Sequence, residues 1–507
     1  MLDALAHTLR SNPGRPAVLG TTRTGAVRTR ATCGELADLA DRYALALHAR
    51  GVERGATVGV AVRPGPRALA VMLAAYRLGV RVAVLDPGAG PDVLRARLAL
   101  ARPDIVLADA AAQAVAGWAR PLARRAQLAL PDLAELGGPV ATVGRRLPGS
   151  APALEAGARS SSGGGSRPGA SGLPRPVDED GDAVIVFTSG TTSLPRAVVH
   201  TRSSLAAGMA TVTDLVRPEP GRPVLGGTFF VLVPSLASGA PVALPARSPR
   251  VLARQMHRLA PQATYLTPPH LRAALTKGAR FTGRVWTGSA PASADLLTRV
   301  KQAGADEAWG VYALTELFPA AAVEQADKAA FASDGDLVGA PLPGVEAKTG
   351  PAGQLLLSGP AARDRYLGEV ADPWVDTGDR ARLENGRIVL EGRCKDMVLR
   401  RAENIYPGLY EPALHVTGVE LALLVGVPAE DGDERLVAVV QPRRGADHAR
   451  VRTALAAPLE RMGSARPDAL LFADIPLSGR SLKPDRAATA ALAAERLTAE
   501  RAGGRGR

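Results

Sequence analysis

The sequence predicts an α/β protein with a large N-terminal region of helix-covered sheets and a small α+β C-terminal domain. The chain has 507 residues, 46% of them hydrophobic, which is enough for more than one buried layer. Strand and helix patterns alternate along its first part, as in parallel sheets covered by helices. After a boundary near Gly392, mixed strand and helix patterns continue over a length typical of a small domain.

The first elements justify the parallel sheet. Thr32 and Glu35 have the spacing of a capping box, and Gly51 is a natural helix stop. Between them, apolar residues repeat with helical period at Leu36, Leu39, Tyr43 and Leu47. The strand pattern TVGVAV, the helix pattern PRALAVMLAAYRLG and the strand pattern RVAVLDPG follow. This order predicts a βαβ unit.

Composition shifts give the expected domain limits. Residues 148–176 are rich in Gly, Ser and Pro and predict a disordered surface loop or linker. We expect a large domain over 1–392, a small domain over 393–500 and a frayed tail over 501–507. No internal repeat is visible.

Charge and cysteine usage limit the classes of function. The formal net charge of +13 indicates either an anionic partner, such as a nucleotide, coenzyme A or an acidic carrier protein, or only a bias toward arginine. No dense Lys/Arg run is interleaved with aromatics, so a nucleic-acid partner is not predicted. Cys33 and Cys394 lack metal-ligand spacing, and the first residues lack an apolar signal core. We therefore expect a cytoplasmic protein.

Val224–Ala246 is the one apolar stretch long enough to cross a bilayer. Its prolines and glycines disfavour a continuous helix. The sequence therefore predicts buried strands and turns here, and no membrane span.

A loop suited to phosphate follows the apolar strand pattern AVIVF. In TSGTTSLPRAVVH, hydroxyl and glycine residues are crowded on one turn, at Thr188, Ser189, Gly190, Thr191 and Thr192. Backbone N–H groups and hydroxyls on such a turn bind phosphate oxygens, and Arg196 adds a cation. An ordinary Ser/Thr-rich turn is the alternative. An amphipathic helix is predicted next, with apolar residues at Leu205, Met209, Val212 and Val216.

This loop resembles the signature of the adenylate-forming superfamily, which includes acyl-CoA synthetases, carrier-loading adenylation domains and luciferases. It departs from the usual signature at Ser193, Arg196 and Ala197, where the family usually has Gly, Lys and Gly. Four further segments resemble family motifs in the same order: WTGSAP, VYALTELF, WVDTGDRARLENGRIVLEGRCKDMV and AENIYPGLYEP. The resemblance implies an ATP-dependent, AMP-forming ligase that activates a carboxylic acid.

The resemblance also implies roles for residues in these motifs. Thr192 and Glu316 would hold Mg²⁺, a hard cation suited to hydroxyl and carboxylate oxygens. Asp379 and Arg393 would contact the ribose, and Tyr312 would stack near adenine. The adenine wall and its neighbourhood would include Gly288, Ala290, Pro291 and Thr315. A solvated Glu316, a turn aspartate and a core tyrosine are the plain structural alternatives.

Two lysines complete the implied machinery. Lys395 lies where the family places the hinge about which the small domain moves, although a solvated loop lysine has the same pattern. Lys483, in DIPLSGRSLKPDR, matches the lysine that reaches the α-phosphate. Leu482 replaces the usual glycine before it, and Arg480 is a rival cation.

The acceptor of the activated acid has two alternatives in the sequence. AENIYP and the segment after it resemble acyl-CoA synthetases, which implies coenzyme A or a carrier phosphopantetheine, with an acyl carrier protein as partner. Arg401 and Ala402 stand where CoA-forming members often have glycines. AYRLGVRVAVLDPGAG and ALTELFPAAAVE resemble olefin-pathway β-lactone synthetases, which need no coenzyme A.

The acid itself is predicted only as a fatty or other apolar acid. Phe229 and Phe230 fit an apolar acyl pocket or the core equally well. A third alternative is a degenerate, non-catalytic homologue that binds nucleotide or acyl ligand, as the departures at Ser193, Arg196, Ala197 and Leu482 would allow.

Overall fold

A computed structural model gives the fold of the chain. It describes residues 1–22, 24–85, 91–110, 113, 139–156, 176–177, 179–188, 196–400, 403–429, 434–479 and 482–504.

In these residues the helices are α1 Leu2–Ser11, α2 Cys33–His48, α3 Pro66–Leu78, α4 Pro91–Ala101, α5 Arg202–Val216, α6 Phe229–Ala237, α7 Pro249–Leu259, α8 Pro268–Thr276, α9 Ala294–Gln302, α10 Gln325–Ala330, α11 Pro407–Tyr410, α12 His448–Arg461 and α13 Arg486–Gly504. Among them, none is long and apolar enough to cross a membrane.

The strands up to the middle of the chain are β1 Pro16–Thr21, β2 Val27–Thr32, β3 Thr57–Ala61, β4 Arg81–Val84, β5 Ile105–Asp109, β6 Val140–Val143, β7 Asp182–Phe187, β8 Ala197–Thr201, β9 Val224–Leu225, β10 Val242–Ala243, β11 Ala263–Tyr265, β12 Arg284–Thr287, β13 Glu307–Tyr312 and β14 Ala321–Glu324. The later strands are β15 Asp336–Pro341, β16 Glu346–Thr349, β17 Gln354–Ser358, β18 Arg365–Tyr366, β19 Val375–Glu384, β20 Arg387–Arg393, β21 Val398–Arg400, β22 Glu403–Ile405, β23 Val419–Pro428, β24 Glu434–Pro442, β25 Ala469–Phe472, β26 Leu477–Ser478 and β27 Lys483–Pro484.

The first large sheet confirms the predicted βαβ unit. Its order is β18-β8-β7-β4-β3-β5-β6, and β3 pairs in parallel with both β4 and β5. The helix between β3 and β4 is α3, as expected. The capping box of α2 is present, because Thr32 Oγ1 accepts from the Glu35 N–H and Glu35 accepts from the Thr32 N–H.

The second large sheet runs β16-β17-β19-β20-β15-β14-β13-β12-β11-β9-β10-β1-β2. Its strands β9 to β13 are parallel, so their carboxyl ends share one edge, where Thr287 and Tyr312 end β12 and β13. In open α/β sheets this edge is where ligands bind. The predicted mixed α/β architecture is confirmed.

The prediction for Val224–Ala246 is wrong in its middle part. Short strands β9 and β10 flank it, but Phe229–Ala237 is helix α6 with Pro234 inside it. Leu232, Val233 and Leu236 are buried in the largest apolar cluster, together with side chains of α1 to α3. Burial of this apolar face outweighs the helix-breaking tendency of proline.

Two predicted flexible segments also need correction where the structure describes them. In the segment 148–176, Ala153 bridges to Thr142 and Leu154 is fully buried at the start of a 3-10 turn, so these residues are packed. Residues 157–175 of that segment lie outside the described residues. Helix α13 continues to Gly504, into the segment 501–507 that we expected to fray. Its alanine-rich sequence favours helix.

The C-terminal region is built on the sheet β23-β24-β25. Its two apolar clusters contain only residues that follow Arg393 in the chain, with Leu424, Leu436 and Val439 among the fully buried members. A small α+β region is therefore present, and a domain boundary near Gly392 stays our prediction.

Candidate functional site

The predicted phosphate loop joins two paired strands. β7 and β8 are antiparallel, with Phe187 opposite Ala197, and the Thr188 N–H donates to the Arg196 carbonyl at 3.0 Å. Thr188 and Arg196 therefore face each other across the base of the loop. Ser189, Gly190, Thr191 and Thr192 lie outside the described residues, as do Ser193 to Pro195.

Arg196 stacks on an aromatic ring that the sequence did not indicate. Its Cζ lies 3.4 Å from the centroid of the Tyr366 ring, and its Nη2 lies 3.3 Å from a carboxylate oxygen of Glu369. Both side chains of this ion pair are more than half exposed, at 54% and 55%, so the pair is weak and exchangeable.

Glu316 contacts Tyr366 through the tyrosine hydroxyl. The Tyr366 hydroxyl donates to Glu316 Oε1 at 2.9 Å, and the Arg363 N–H donates to the Glu316 carbonyl at 2.6 Å. Burial raises the pKa of Tyr366, and the Glu316 charge adds to this effect. The phenol therefore remains a hydrogen-bond donor to the carboxylate at neutral pH.

The Thr315 carbonyl holds a buried histidine. His200 Nε2 donates to it at 2.7 Å, and the ring is fully buried and packed edge-on against Phe318. Burial lowers the pKa of His200, with a smaller opposing effect from the Thr315 bond. A neutral His200 thus braces the segment that carries Glu316, and the sequence pattern gave no signal for it.

Asp379 is the centre of a second group. Tyr312 Oη donates to Asp379 Oδ2 at 2.6 Å, and Arg393 Nε donates to Oδ1 at 3.1 Å. The antiparallel register of β19 and β20 sets Asp379 opposite Arg393. Burial raises the pKa of Asp379, although Arg393 and Tyr312 oppose this, and burial with the Asp379 charge raises the pKa of Tyr312 well above its usual value. Each carboxylate oxygen has a second lone pair for a further donor.

The predicted adenine wall follows β12 at the carboxyl edge of the sheet. A side chain at Gly288 would put its Cβ 2.8 Å from the Val311 carbonyl, so only glycine fits there. Ser289 is left-handed, with φ of 68°, and its hydroxyl lies 3.1 Å from Tyr265 Oη. Ala290 is partly exposed and Pro291 exposed, and the strand before them, β12, pairs in parallel with β13, which ends at Tyr312.

Lys483 meets the Asp379 group. It begins β27, which pairs with β26 in a short hairpin, and Leu482 before it is left-handed with φ of 50° and 41% exposed. The surrounding protein lowers the pKa of Lys483 by burial, and the charge of Arg393 lowers it further, while Asp379 raises it. The structure therefore brings Lys483 into the electrostatic range of Asp379 and Arg393. The rival Arg480 lies outside the described residues.

Ion pairs tie the C-terminal region to the large region in this orientation. Glu420 on β23 lies 3.2 Å from Arg299 and 3.5 Å from Arg272. Arg443 reaches Glu420 at 3.7 Å and also pairs with Asp295. These partners are far apart in sequence, so the pattern of charges alone did not predict them.

Lys395 lies in a 3-10 turn, Cys394–Asp396, directly after β20, and its residue is exposed. Arg486 anchors this turn, because its Nε donates to Asp396 at 3.1 Å and its Nη1 to Glu411 at 2.7 Å. The turn at the expected hinge therefore follows the strand that ends at Arg393 and is bound to the first residue of α13, Arg486.

Phe229 and Phe230 take part in core packing. Both are partly buried against the largest apolar cluster, and the Phe230 ring lies 3.6 Å from that of Phe318, centroid to centroid. Arg401 and Ala402, which bear on the acceptor path, lie outside the described residues.

Comparison with known proteins identifies a matching family and several similar enzymes. The model of the family described as AMP-binding enzyme matches residues 5–361. A feruloyl-CoA synthase from Amycolatopsis sp is 28% identical over 308 residues, 53% of this chain and 61% of that protein's length. An olefin beta-lactone synthetase from Stenotrophomonas maltophilia is 26% identical over 476 residues and 82% of each chain. A fatty acid–[acyl-carrier-protein] ligase, ScoC, from Streptomyces coeruleorubidus is 29% identical over 314 residues, 53% of this chain and 59% of its own.

Solved structures match over almost the whole chain. An amide bond synthetase, McbA, from Marinactinospora thermotolerans superposes with a TM-score of 0.74 at 22% identity, covering 97% of this chain and 99% of that one. ATP-bound MatB from Rhodopseudomonas palustris superposes with a TM-score of 0.74 at 23% identity and the same coverage. At this identity, these likenesses establish the fold.

Proposed function

The chain belongs to the AMP-binding enzymes of the adenylate-forming superfamily, and from this premise we propose that it activates an apolar carboxylic acid as an acyl-adenylate and passes the acyl group to a thiol. Adenylate-forming acid activation follows from the family itself. The apolar acid and the thiol of coenzyme A or of a carrier protein are the proposed refinements.

One observation carries the proposal: Tyr312 and Arg393 both hydrogen-bond to Asp379 where β13 ends, and the charges of Arg393 and Asp379 act on Lys483. In this proposal Asp379 and Arg393 hold the ribose, since a carboxylate accepts from two hydroxyls. The Lys483 ammonium, which interacts electrostatically with both residues, would neutralise the negative charge of the α-phosphate.

In the proposed reaction, a carboxylate oxygen of the acid bonds to the α-phosphorus of ATP. The bond from that phosphorus to the bridging oxygen breaks, and pyrophosphate leaves with the electron pair. Both reactants are anions, so positioning and charge neutralisation supply most of the acceleration. Lys483 stabilises the added charge on the α-phosphoryl oxygens, and Arg196 binds the departing phosphates.

Glu316 suits a Mg²⁺ ion that is bound mainly by the phosphates of a nucleotide and by water. Within the described residues no group of three or more His, Cys, Asp or Glu side chains could cage a metal. Mg²⁺ instead needs one or two carboxylates together with substrate phosphates and waters. Glu316, partly exposed and held by Tyr366, supplies such a carboxylate, and Thr192 supplies a hydroxyl in our proposal. The ion would neutralise phosphate charge there.

The test is pyrophosphate release from ATP with a panel of carboxylic acids, followed by mass spectrometry of the acyl products. We expect acid-dependent release with apolar acids and a thioester only when coenzyme A or a phosphopantetheinylated carrier is added. ATP binding without any acid-dependent release would favour the non-catalytic alternative and contradict the proposal.

A β-lactone synthetase is the second candidate. The olefin beta-lactone synthetase from Stenotrophomonas maltophilia matches 82% of this chain, more than the CoA synthase and carrier ligase above. In that case a β-hydroxy acid would be adenylated, and its own hydroxyl would attack the acyl carbon and expel AMP. Release of a β-lactone without any added thiol would distinguish this candidate from the thioester route.

A further inference from the structure

Tyr366 contacts both Glu316 and Arg196, which belong to different sequence motifs. Its hydroxyl donates to Glu316 Oε1 at 2.9 Å, and its ring carries the Arg196 guanidinium at 3.4 Å. In the proposed function, Glu316 binds the metal ion and Arg196 binds the phosphates of ATP. One side chain therefore contacts both.

The backbone fixes Tyr366 beside the phosphate loop. It lies on β18, which pairs with β8, and Tyr366 is opposite Val198. The Leu367 N–H also donates to the carbonyl of Ala197, the residue directly after Arg196, at 2.8 Å. The ring position and the end of the phosphate loop are therefore set by the same strand pair.

A second guanidinium, that of Arg363, also lies against the Tyr366 ring. Its Cζ lies 4.7 Å from the Tyr366 centroid, and its Nη1 donates to the Asp372 carbonyl at 2.9 Å. Tyr366 is only 6% exposed and Arg363 only 8%. The ring is buried and contacts two guanidinium groups, so it has little freedom to turn.

Stacking leaves the edge of the Arg196 guanidinium available. Its N–H groups lie in the plane of the group, and a stacked arginine still donates along that edge. Glu369 now occupies it in an exposed pair at 3.3 Å. A phosphate is a stronger bidentate partner and would replace Glu369 without moving the arginine off the ring.

We propose that Tyr366 is a positioning residue for Mg²⁺–ATP, whose hydroxyl orients the Glu316 carboxylate toward the metal while its ring holds Arg196 in place for the phosphates. This proposal rests on the proposed function, in which Glu316 holds Mg²⁺. The two halves of the side chain have separate tasks, so separate substitutions address them.

The experiment is isothermal titration calorimetry of ATP binding, with Mg²⁺ and with the metal chelated. Tyr366→Phe removes the hydroxyl and keeps the ring. We expect it to reduce the strengthening of ATP binding by Mg²⁺ about ten- to a hundredfold, as for other groups that orient metal ligands, and to leave metal-free binding unchanged. Tyr366→Leu should weaken metal-free binding as well, because Arg196 loses its platform.

Matched controls separate this role from general damage. Tyr43→Phe removes the hydroxyl of another buried tyrosine, on α2, and should alter neither titration. Thermal unfolding of each variant reports whether it is folded. Equal losses for Tyr366→Phe with and without Mg²⁺ would mean a general structural role and would overturn the proposal, as would a full Mg²⁺ effect in that variant.

Glu316→Gln distinguishes failure of the inference from failure of the proposed function. If that variant retains the full effect of Mg²⁺, the metal role of Glu316 is wrong and the role of Tyr366 falls with it. If Glu316→Gln loses the effect and Tyr366→Phe does not, only the inference about Tyr366 is wrong.

Discussion

Replacing Lys483 by alanine should separate acid activation from ATP binding. The side chain of Lys483 is exposed on a short hairpin, so its removal leaves no cavity in the core, while neighbouring protein partly shields its ammonium from water and Asp379 and Arg393 interact with it electrostatically. In the ground state such a charge contributes about 0–1 kcal/mol, as exposed ion pairs do, which is less than about a fivefold change in ATP affinity. In the transition state it meets new charge on the α-phosphate. Loss of one such group lowers the rate by about 10²–10³-fold.

Three measurements assay this split. Pyrophosphate release from acid and ATP should fall by about 10²–10³-fold in Lys483→Ala. The dissociation constant of ATP, and transfer to the thiol from a supplied acyl-adenylate, should change little, because neither needs activation of the α-phosphate. Lys277→Ala, at an exposed lysine after α8, is the matched control and should behave as wild type.

The pH dependence gives an independent check on the same residue. Burial and Arg393 lower the pKa of Lys483, and the ammonium is the active form. The rate of acid activation should therefore be full below that lowered pKa and fall as the pH rises through it. Lys483→Arg should remove this alkaline decline, because a guanidinium stays charged.

Wild-type pyrophosphate release by a folded Lys483→Ala variant would refute the reasoning. A large loss in Arg480→Ala combined with little loss in Lys483→Ala would show that the other cation reaches the α-phosphate.

Glu316→Gln should lower acid-dependent pyrophosphate release by at least tenfold, roughly as for removed metal ligands or their partners, with unchanged thermal unfolding; an unaltered rate would remove Glu316 from the mechanism. Lys395→Pro should slow transfer from a supplied acyl-adenylate more than adenylation, because it stiffens the expected hinge; stopped-flow measurement of each half-reaction tests this, and equal effects would contradict it. His200→Gln should flatten the pH dependence of the free energy of unfolding. Burial lowers the pKa of His200, so its neutral form stabilises the wild-type protein above pH 6.5. As the pH falls below that value, this stabilisation decreases by at most about 1.4 kcal/mol per pH unit. Urea titrations of both proteins from pH 7 downward measure it, and parallel curves would show that His200 does not titrate on unfolding.

The sequence predicts the parts of the fold in which local pattern and burial agree. The βαβ unit and the capped helix α2 were predicted correctly, because strand period, helix period and capping residues all indicate the same elements. Helix α6 was missed because Pro234 and the glycines before it indicate turns, while the buried side chains of Leu232 and Leu236 decide the outcome through contacts distant in sequence.

In the candidate site, too, residues in local motifs were predicted, and residues that depend on contacts distant in sequence were not. Asp379, Arg393 and Tyr312 were chosen from motifs, and in the structure both Arg393 and Tyr312 hydrogen-bond to Asp379. Tyr366 had no motif signal, because its importance comes from the pairing of β18 with β8, which joins Tyr366 to Val198 from a distant part of the sequence. Contacts of this kind depend on topology, which a single sequence does not display.

The ion pairs around Glu420 are a further case. Glu420, Arg299 and Arg443 read as ordinary surface charges in sequence, whereas in the structure they link the C-terminal region to the large region. Which charges meet follows from the packing of the two regions.

The most direct test of the central claim follows oxygen from the acid into AMP. The enzyme is incubated with ATP, Mg²⁺ and an apolar acid labelled with ¹⁸O in its carboxylate, a thiol acceptor is added, and the phosphate-containing products are analysed by mass spectrometry. If a carboxylate oxygen attacks the α-phosphorus, transfer of the acyl group leaves one ¹⁸O in AMP, and pyrophosphate is unlabelled. Unlabelled AMP, or label in inorganic phosphate or pyrophosphate, would contradict adenylate formation by this protein.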